Sequence, residues 1–570
     1  MRSMLSALLL LMIAGMLVSC DSGNTGDFKI RLRLPIDINE VCSYYEDDPD
    51  GEDYTYCITR GDQILLEIYS TPNPAEPYVF AQSKLISVDS SRGGKENFIR
   101  SLKEGNYYRF FVSVTNTNEK LKLTGGLDGI YYDDAKNYEV DLFLGATADF
   151  VRVVKDRKKY EDTSLRSYFD SSGSRGAAAV ALKGGLVYLS GGYSFDYEAV
   201  MPNTTVFDMH NLTSSKEDSL RIPLEYHAAA LLDDGSPYGK AIIAFGTGDD
   251  GSYSSSILLF DPEKGRYRTL ESKESVTKAK AITIDGKVYI AGGCNESSSS
   301  SKIYVVDNRP PYSITEFASM KTARCNHALA DVSTVDENNV ITPRILIIGG
   351  SSDIDGEDPV VGDNIVELAV AGSSTPLPLT DRKGEDSVDL TKNGLVSPAA
   401  STLKMDDLGE IQKVVAVIGG HLQDGSDENA TIVVSKNLYV FSEKSDGSGI
   451  IYDVNSAPQG CARPSMATIG TTEKSPAQYA AVNCGTEDLD TDSKATDTQK
   501  IFVVQVKRSF DSELNMNVLS ASVKESLMDE NRDPENGVIL DGPTVVNDLG
   551  QAFVFGTEYV YQICGNSIPY

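Results

Sequence analysis

A chain of 570 residues is too long for one ordinary domain, and a hydrophobic content of 41% is too high for a disordered one. With 52 Lys and Arg against 83 Asp and Glu, the formal net charge is -31, so the surface repels phosphate backbones and nucleic-acid binding is excluded. Basic, neutral or cation-bridged partners stay open.

At the N-terminus Met1-Arg2 supply a positive start and Leu5 to Val18 form an apolar run of 14 residues. A membrane span needs about 20, so the run suits a signal h-region instead. It ends in Leu17-Val18-Ser19-Cys20, which resembles the lipobox of bacterial lipoproteins. The resemblance implies cleavage before Cys20 and acylation of its sulfur (diacylglycerol, with palmitate-type chains), leaving a membrane anchor without a spanning helix. The rival reading is a plain secretory peptide cut near Ser19. Residues 1–19 are thus expected to be a signal peptide, and the polar stretch 20–27 a flexible tether.

Export implies an oxidising compartment. Of the 8 cysteines, Cys20 is set aside by the lipobox, leaving Cys42, Cys57, Cys294, Cys325, Cys461, Cys484 and Cys564. That is an odd number, so at least one is free or pairs between chains.

Residues 28–146 read as a β domain. Phe28 to Leu34 alternates apolar and charged side chains, the period of a half-buried strand, and Gln63 to Tyr69, Tyr107 to Val114 and Asn137 to Leu144 behave alike. Turn signals such as Glu104-Gly105-Asn106 separate them. A small antiparallel sandwich of immunoglobulin-like or fibronectin-like type is expected.

From about residue 147 onward a unit repeats: an apolar run, a Gly-Gly mark, a polar acidic loop, and a second apolar strand. The marks fall at Gly191-Gly192, Gly246-Thr247-Gly248, Gly292-Gly293, Gly349-Gly350, Gly419-Gly420, Cys484-Gly485 and Gly556, spaced 46 to 71 residues apart. This resembles the kelch repeat of β-propellers such as the central domain of galactose oxidase, whose period is about 50. Leu258-Leu-Phe-Asp-Pro262, then Tyr267 and Leu270, is similar to the kelch phrase after the glycines. Phe317 to Met320, then Arg324 and His327, is similar to the passage between blades. The chain has no Trp, and Tyr267 and Phe317 stand where kelch repeats place one. The resemblance covers roughly 420 residues and implies an all-β kelch-like propeller over 147–570. Seven blades are favoured, with six if the decayed copies merge. Ala148 to Val154 is expected to supply the outer strand of the last blade, removing a free sheet edge.

Chemistry-bearing motifs are sparse. The 4 histidines are His210, His227, His327 and His421; none has zinc spacing, and His227 and His327 share a repeat position, which favours a structural role. A galactose-oxidase copper site would need a Tyr–Cys crosslink and His ligands that this chain assigns elsewhere. No catalytic residue is identified. Asp48, Asp50 and Asp53, and again Asp353, Asp355 and Asp358, form D-x-D-G-x-D, a spacing that can wrap Ca²⁺ or be a solvated acidic loop. Expected disulfides are Cys42–Cys57 across an acidic insertion, Cys461–Cys484 at the ends of neighbouring antiparallel strands, and Cys294–Cys325 at a junction of successive blades.

The expected function is a lipid-anchored platform of the bacterial envelope, facing the periplasm or the exterior, that binds an envelope protein or a glycan through loops after the glycine marks. The alternative is a carbohydrate-active enzyme (mutarotase-like, hydrolase or lyase) using the central channel. It would require Arg, Glu or Tyr side chains converging at the channel mouth.

Overall fold

In the computed structural model the described residues are 28–34, 58, 61–73, 76–86, 97–99, 101–118, 121–147, 151–153, 175–194, 197–209, 213–216, 218–380, 394–407, 410–424, 431–443, 449–457, 460–469, 477–484, 501–511, 516–525, 544–546, 551–555 and 560–563. Among them the secondary structure is strand, apart from two short 3₁₀ turns, Lys183–Gly185 and Gly362–Ile365.

The first sheets form a sandwich. One has three strands, Asn97–Ile99, Phe28–Arg33 and Tyr138–Phe143; the other has five, Val79–Ile86, Gln63–Thr71, Tyr107–Thr115, Leu121–Tyr131 and Gly145–Ala146. Their inner faces meet in one core around Phe28, Ile64, Leu66, Phe110, Val112 and Leu142, all fully buried. The sequence reading expected only antiparallel pairing. Phe28–Arg33 instead runs parallel to Tyr138–Phe143, in register Phe28 with Tyr138 through Arg33 with Phe143. The two strands are more than a hundred residues apart in the chain, so no hairpin constrains their direction.

The remaining sheets follow one plan, an antiparallel meander of four strands numbered from innermost to outermost. Blade 1 is Ala178–Ala181, Leu186–Ser190, Thr204–Asp208 and Thr213–Lys216. Blade 2 is Ala228–Leu232, Lys240–Ala244, Ser256–Asp261 and Arg266–Ser272; blade 3 is Lys280–Ile284, Lys287–Ala291, Lys302–Val306 and Ile314–Ser319. Blade 4 is Ala328–Asp331, Ile345–Ile348, Val366–Val370 and Ser373–Pro376. Blade 5 is Ala399–Asp407, Glu410–Ile418, Asn437–Glu443 and Gly449–Ser456, with Leu379–Thr380 added parallel at its edge. Blade 6 is Ser465–Ile469, Ala477–Asn483, Ile501–Asp511 and Met516–Glu525; blade 7 is Thr544–Val546, Ala552–Phe555, Val560–Ile563 and Val151–Val153. Each innermost strand packs against the next, and that of blade 7 against that of blade 1. The sheets close into a ring.

Burial explains the pattern. Second strands such as Lys240–Ala244 and Ile345–Ile348 are buried at every position, because neighbouring blades cover both faces, so they read as unbroken apolar runs. Innermost strands use small residues, as in Ala228-Ala229-Ala230, where strands crowd around the axis. The outermost strand Arg266–Ser272 is largely exposed and correspondingly charged. Tyr267 turns inward from it and packs at a tilt against Phe260, with ring centroids 5.1 Å apart, while its hydroxyl meets that of Tyr188 in blade 1 at 2.8 Å. Phe317 contacts Tyr289 edge-on at 4.9 Å. At the positions where the sequence places them in lieu of Trp, Tyr267 thus joins blade 2 to blade 1, while Phe317 packs within blade 3.

The glycine marks sit where the second strand turns out of the sheet. Gly349 has φ 66°, and a Cβ there would lie 2.1 Å from the Leu395 carbonyl oxygen. The following amide, Gly350 N–H, donates to that same carbonyl at 2.8 Å, which joins blade 4 to the start of blade 5. Gly192, Gly246, Gly293 and Gly420 donate in the same way to Leu224, Val276, Arg324 and Cys461. In blade 2 the mark is therefore Phe245-Gly246, both at positive φ, and not Gly246-Thr247-Gly248.

Candidate functional site

One residue position before each innermost strand builds the channel mouth. Gly176, Tyr226, Lys278, Asn326 and Ser397 stand there in blades 1 to 5, all left-handed, with φ of 69°, 51°, 56°, 53° and 56°. Their backbones form a relay from blade to blade. Tyr226 N–H donates to Gly176 O at 2.8 Å, Lys278 to Tyr226 at 3.0 Å, Asn326 to Lys278 at 3.3 Å, and Ser397 to Asn326 at 2.7 Å. Arg463 occupies the matching position of blade 6, two residues before its innermost strand Ser465–Ile469. The relay fixes these backbones and sets four different side chains, Tyr226, Lys278, Asn326 and Ser397, around one axis.

The side chains meet over that axis. Arg463 Nη1 donates to the Tyr226 hydroxyl at 3.0 Å, joining blades 6 and 2 across 237 residues of chain. The Tyr226 ring has the Lys278 ammonium 5.5 Å and the Arg463 guanidinium 5.7 Å from its centroid. Beside them Arg175 Nη2 pairs with Glu225 Oε2 at 3.5 Å and lies over the Tyr193 ring at 4.1 Å. Lys278 Nζ donates to Ile354 O at 2.7 Å, and Asn326 Nδ2 also donates to it, at 3.4 Å. The loop 351–358 of blade 4 thereby forms one wall of the mouth.

Electrostatics here are strained. Burial drives the Glu225 carboxyl above its ordinary range even though Arg175, Lys278 and Arg463 all favour its charged form. Lys278 is pulled down to about 8, first by burial and next by the like charge of Arg463, against the opposing pull of Asp355, Glu225 and Asp353. His421, packed against Gly356 of the same loop, is held at about 4 by burial and then by Arg463.

This mouth lies on one side of the ring. The segments after the glycine marks bridge back to the blade starts, Arg175 to Tyr193, Thr277 to Cys294, Cys325 to Ser351 and Val396 to His421. Three of them fold as two-stranded hairpins: Tyr193–Ser194 with Ala199–Val200, Cys294–Asn295 with Ser298–Ser299, and His421–Asp424 with Thr431–Val434. The inserted loops thus gather on the mouth face, as the sequence reading expected. The sandwich meets the opposite face, where Leu121–Tyr131 packs on the turn Lys183–Gly185.

A kelch motif matches residues 278–307, the span from the left-handed Lys278 through the first three strands of blade 3. The ring is a kelch-type β-propeller. Among solved structures, 332 chains match, one of them described as "Structure of YjhT", with 10% identity, a TM-score of 0.38, and coverage of 58% of this chain and 95% of that one. No curated protein matches.

Within the kelch propeller the sequence-selected residues fall in different places. Cys294–Cys325 bridges blades 3 and 4, with Cα atoms 5.5 Å apart, and Cys461–Cys484 ties the entry of blade 6 to the end of its second strand, at 4.7 Å. Cys20, Cys42, Cys57, Cys564, Asp48, Asp50, Asp53 and His210 lie outside the described residues. Asp353 turns its carboxylate onto its own loop, accepting from the N–H groups of Gly356, Glu357 and Asp358 at 3.2, 3.0 and 3.1 Å. Asp358 accepts from Ser352 and Asp355 is exposed. The D-x-D-G-x-D spacing here makes a self-capped turn, and the three carboxylates do not gather as ligands. Among the described residues only Glu104, Asp133 and Asp134 bring three such oxygens within 4.8 Å. His227 Nε2 meets Ser190 Oγ at 2.8 Å and His327 is fully buried between blades, so both are structural, as their repeat position implied.

Sequence reasoning did not bring Arg175, Tyr226 and Arg463 together. It missed Glu225 and Lys278. Aligning the blade entries Arg175-Gly176, Glu225-Tyr226, Thr277-Lys278 and Ala462-Arg463 is the signal that would have found them.

Proposed function

We propose that this protein is a lipid-anchored platform of the bacterial envelope whose kelch propeller binds a protein or glycan partner at the channel mouth. The observation that carries the reading is the convergence of Arg175, Glu225, Tyr226, Lys278 and Arg463 over the axis, on the face that also bears the hairpins. The apposition of like charges there is costly unless a ligand relieves it. That face is turned away from the sandwich. The anchor itself is supported by Leu17-Val18-Ser19-Cys20 and the polar stretch after it.

Two experiments test this reading. Cys20→Ala should abolish labelling by radioactive palmitate and release the protein from the membrane fraction; persistence of both would sink the anchor. Pull-down of the solubilised lipoprotein from its own envelope, alongside a glycan array, should yield a partner that the wild type captures and a Tyr226→Ala/Arg463→Ala variant does not. Equal capture by both would move the binding face elsewhere.

A second reading is favoured by one observation. Glu225 is shifted up and Lys278 down, which draws an acid and a base toward the same pH range within one mouth. A carbohydrate-active enzyme would use that pair for proton transfer. Turnover of an envelope glycan that disappears in Glu225→Gln would support it over simple binding.

A further inference from the structure

We infer that the channel mouth is a site for a small ligand bearing an oxyanion (a carboxylate or a phosphate), held between Arg463 and Lys278 with Arg175 beside them. The inference deepens the binding reading above and rests on it. Three cations face one carboxylate, Glu225, in a protein whose net charge is -31. Acids outnumber cations by 83 to 52 in the chain, so a cluster of three cations at one half-buried opening focuses an attractive field there. The two further acids nearby do not offset them equally. Asp353 is committed to the amides of its own loop, and Asp355 is exposed to water, which screens it.

The geometry also favours an anion over a neutral ligand. Lys278 and Arg463 both lie within 6 Å of the Tyr226 ring centroid, one from blade 3 and one from blade 6. Lys278 is lowered first by its burial and next by the like charge of Arg463, so the two cations act on one another around this ring. An oxyanion between them converts repulsion into two charge-assisted hydrogen bonds, and a guanidinium presents a fork suited to it. Glu225 competes for the same cations, so it acts as an internal counter-ion that a ligand must partly replace.

The test is calorimetric titration of the purified full chain with D-glucuronate, D-glucose and inorganic phosphate at low ionic strength. Glucuronate, phosphate or both should bind, glucose should not, and the binding should weaken as salt rises. A preference between the two anions assigns the oxyanion to an acidic sugar or to a phosphate. Lys278→Met and Arg463→Met should each weaken binding at least tenfold. Glu225→Gln should strengthen it severalfold, a gain that a misfolded variant cannot give. Glucose binding as tightly as glucuronate and phosphate, failure of both anions to bind, unchanged affinity in both Met variants, or weaker binding in Glu225→Gln would each overturn the inference. Loss of anion binding with partner capture intact would count against this site alone; anion binding intact with no captured partner would count against the platform reading alone.

Discussion

Arg324 and Glu367 form an ion pair in blade 4 in which both side chains are fully buried. The arrangement holds because every polar atom is used. Arg324 Nη1 donates to Gly349 O at 2.9 Å, Nη2 to Asn364 O at 2.8 Å and Nε to Thr322 O at 3.1 Å, while Glu367 accepts from Lys321 N–H, Thr322 N–H and Ser374 Oγ. Removing one partner strands the other charge, so Arg324→Met or Glu367→Gln should each cost about 3–5 kcal/mol in urea unfolding. The buried histidines give a pH dependence. His227 is lowered to about 4 by burial, against an ordinary value of 6.5. Between those values the unfolded chain binds the proton and the native protein does not, so stability is complete above pH 6.5 and falls as pH drops toward 4. The shift is worth about 3 kcal/mol for this one group. Thermal melts from pH 7 to 4.5 should therefore show a steeper fall in wild type than in His227→Gln. The position of His227 in the repeat was readable from the chain; its partner Ser190, in the neighbouring blade, was not.

At the scale of an element the decisive feature is the left-handed turn at the end of the second strand in blades 1 to 5. Gly349→Ala should cost several kcal/mol, because its Cβ would meet the Leu395 carbonyl at 2.1 Å as well as the left-handed strain. Gly372 is the control: it has φ 81° but nothing within 4 Å of its Cβ, so Gly372→Ala should cost only about 1–2 kcal/mol in the same denaturation assay. The disulfide Cys461–Cys484 closes a loop of 23 residues, and its replacement by two alanines should cost roughly 3 kcal/mol. Cys461–Cys484 was legible because strand order in a meander puts its ends side by side, and Cys294–Cys325 because its residues hold related positions at the junction of successive blades. The blade 2 turn was misread for a physical reason. What the site requires is a positive φ and an N–H aimed at the next blade, and Phe245, fully buried at φ 65°, meets the first demand without being glycine.

For the whole molecule, closure is the organising event. Val151–Val153 lies antiparallel to the third strand of blade 7, pairing Val153 with Val560 and Val151 with Gln562, so that strands from both ends of the repeat region share one sheet. Placing proline at both Val151 and Val153 should remove that strand's ladder bonds, and hydrogen exchange should then show loss of protection in Val560–Ile563 before the other blades. Equal exchange across all blades would mean that the ring does not depend on this strand. Period-2 alternation, apolar runs and spaced glycines are local properties, and by themselves they determined four of the sandwich strands, the repeating blades and the overlapping final blade, though not the sandwich strands Val79–Ile86 and Leu121–Tyr131. Which side chains face one another across the axis is not local. Tyr226 and Arg463 are 237 positions apart, carry no shared motif, and touch only because seven sheets of fixed twist return the chain to its starting edge. The composition of the mouth was therefore decided by ring geometry, since no sequence window contains both sides of the channel.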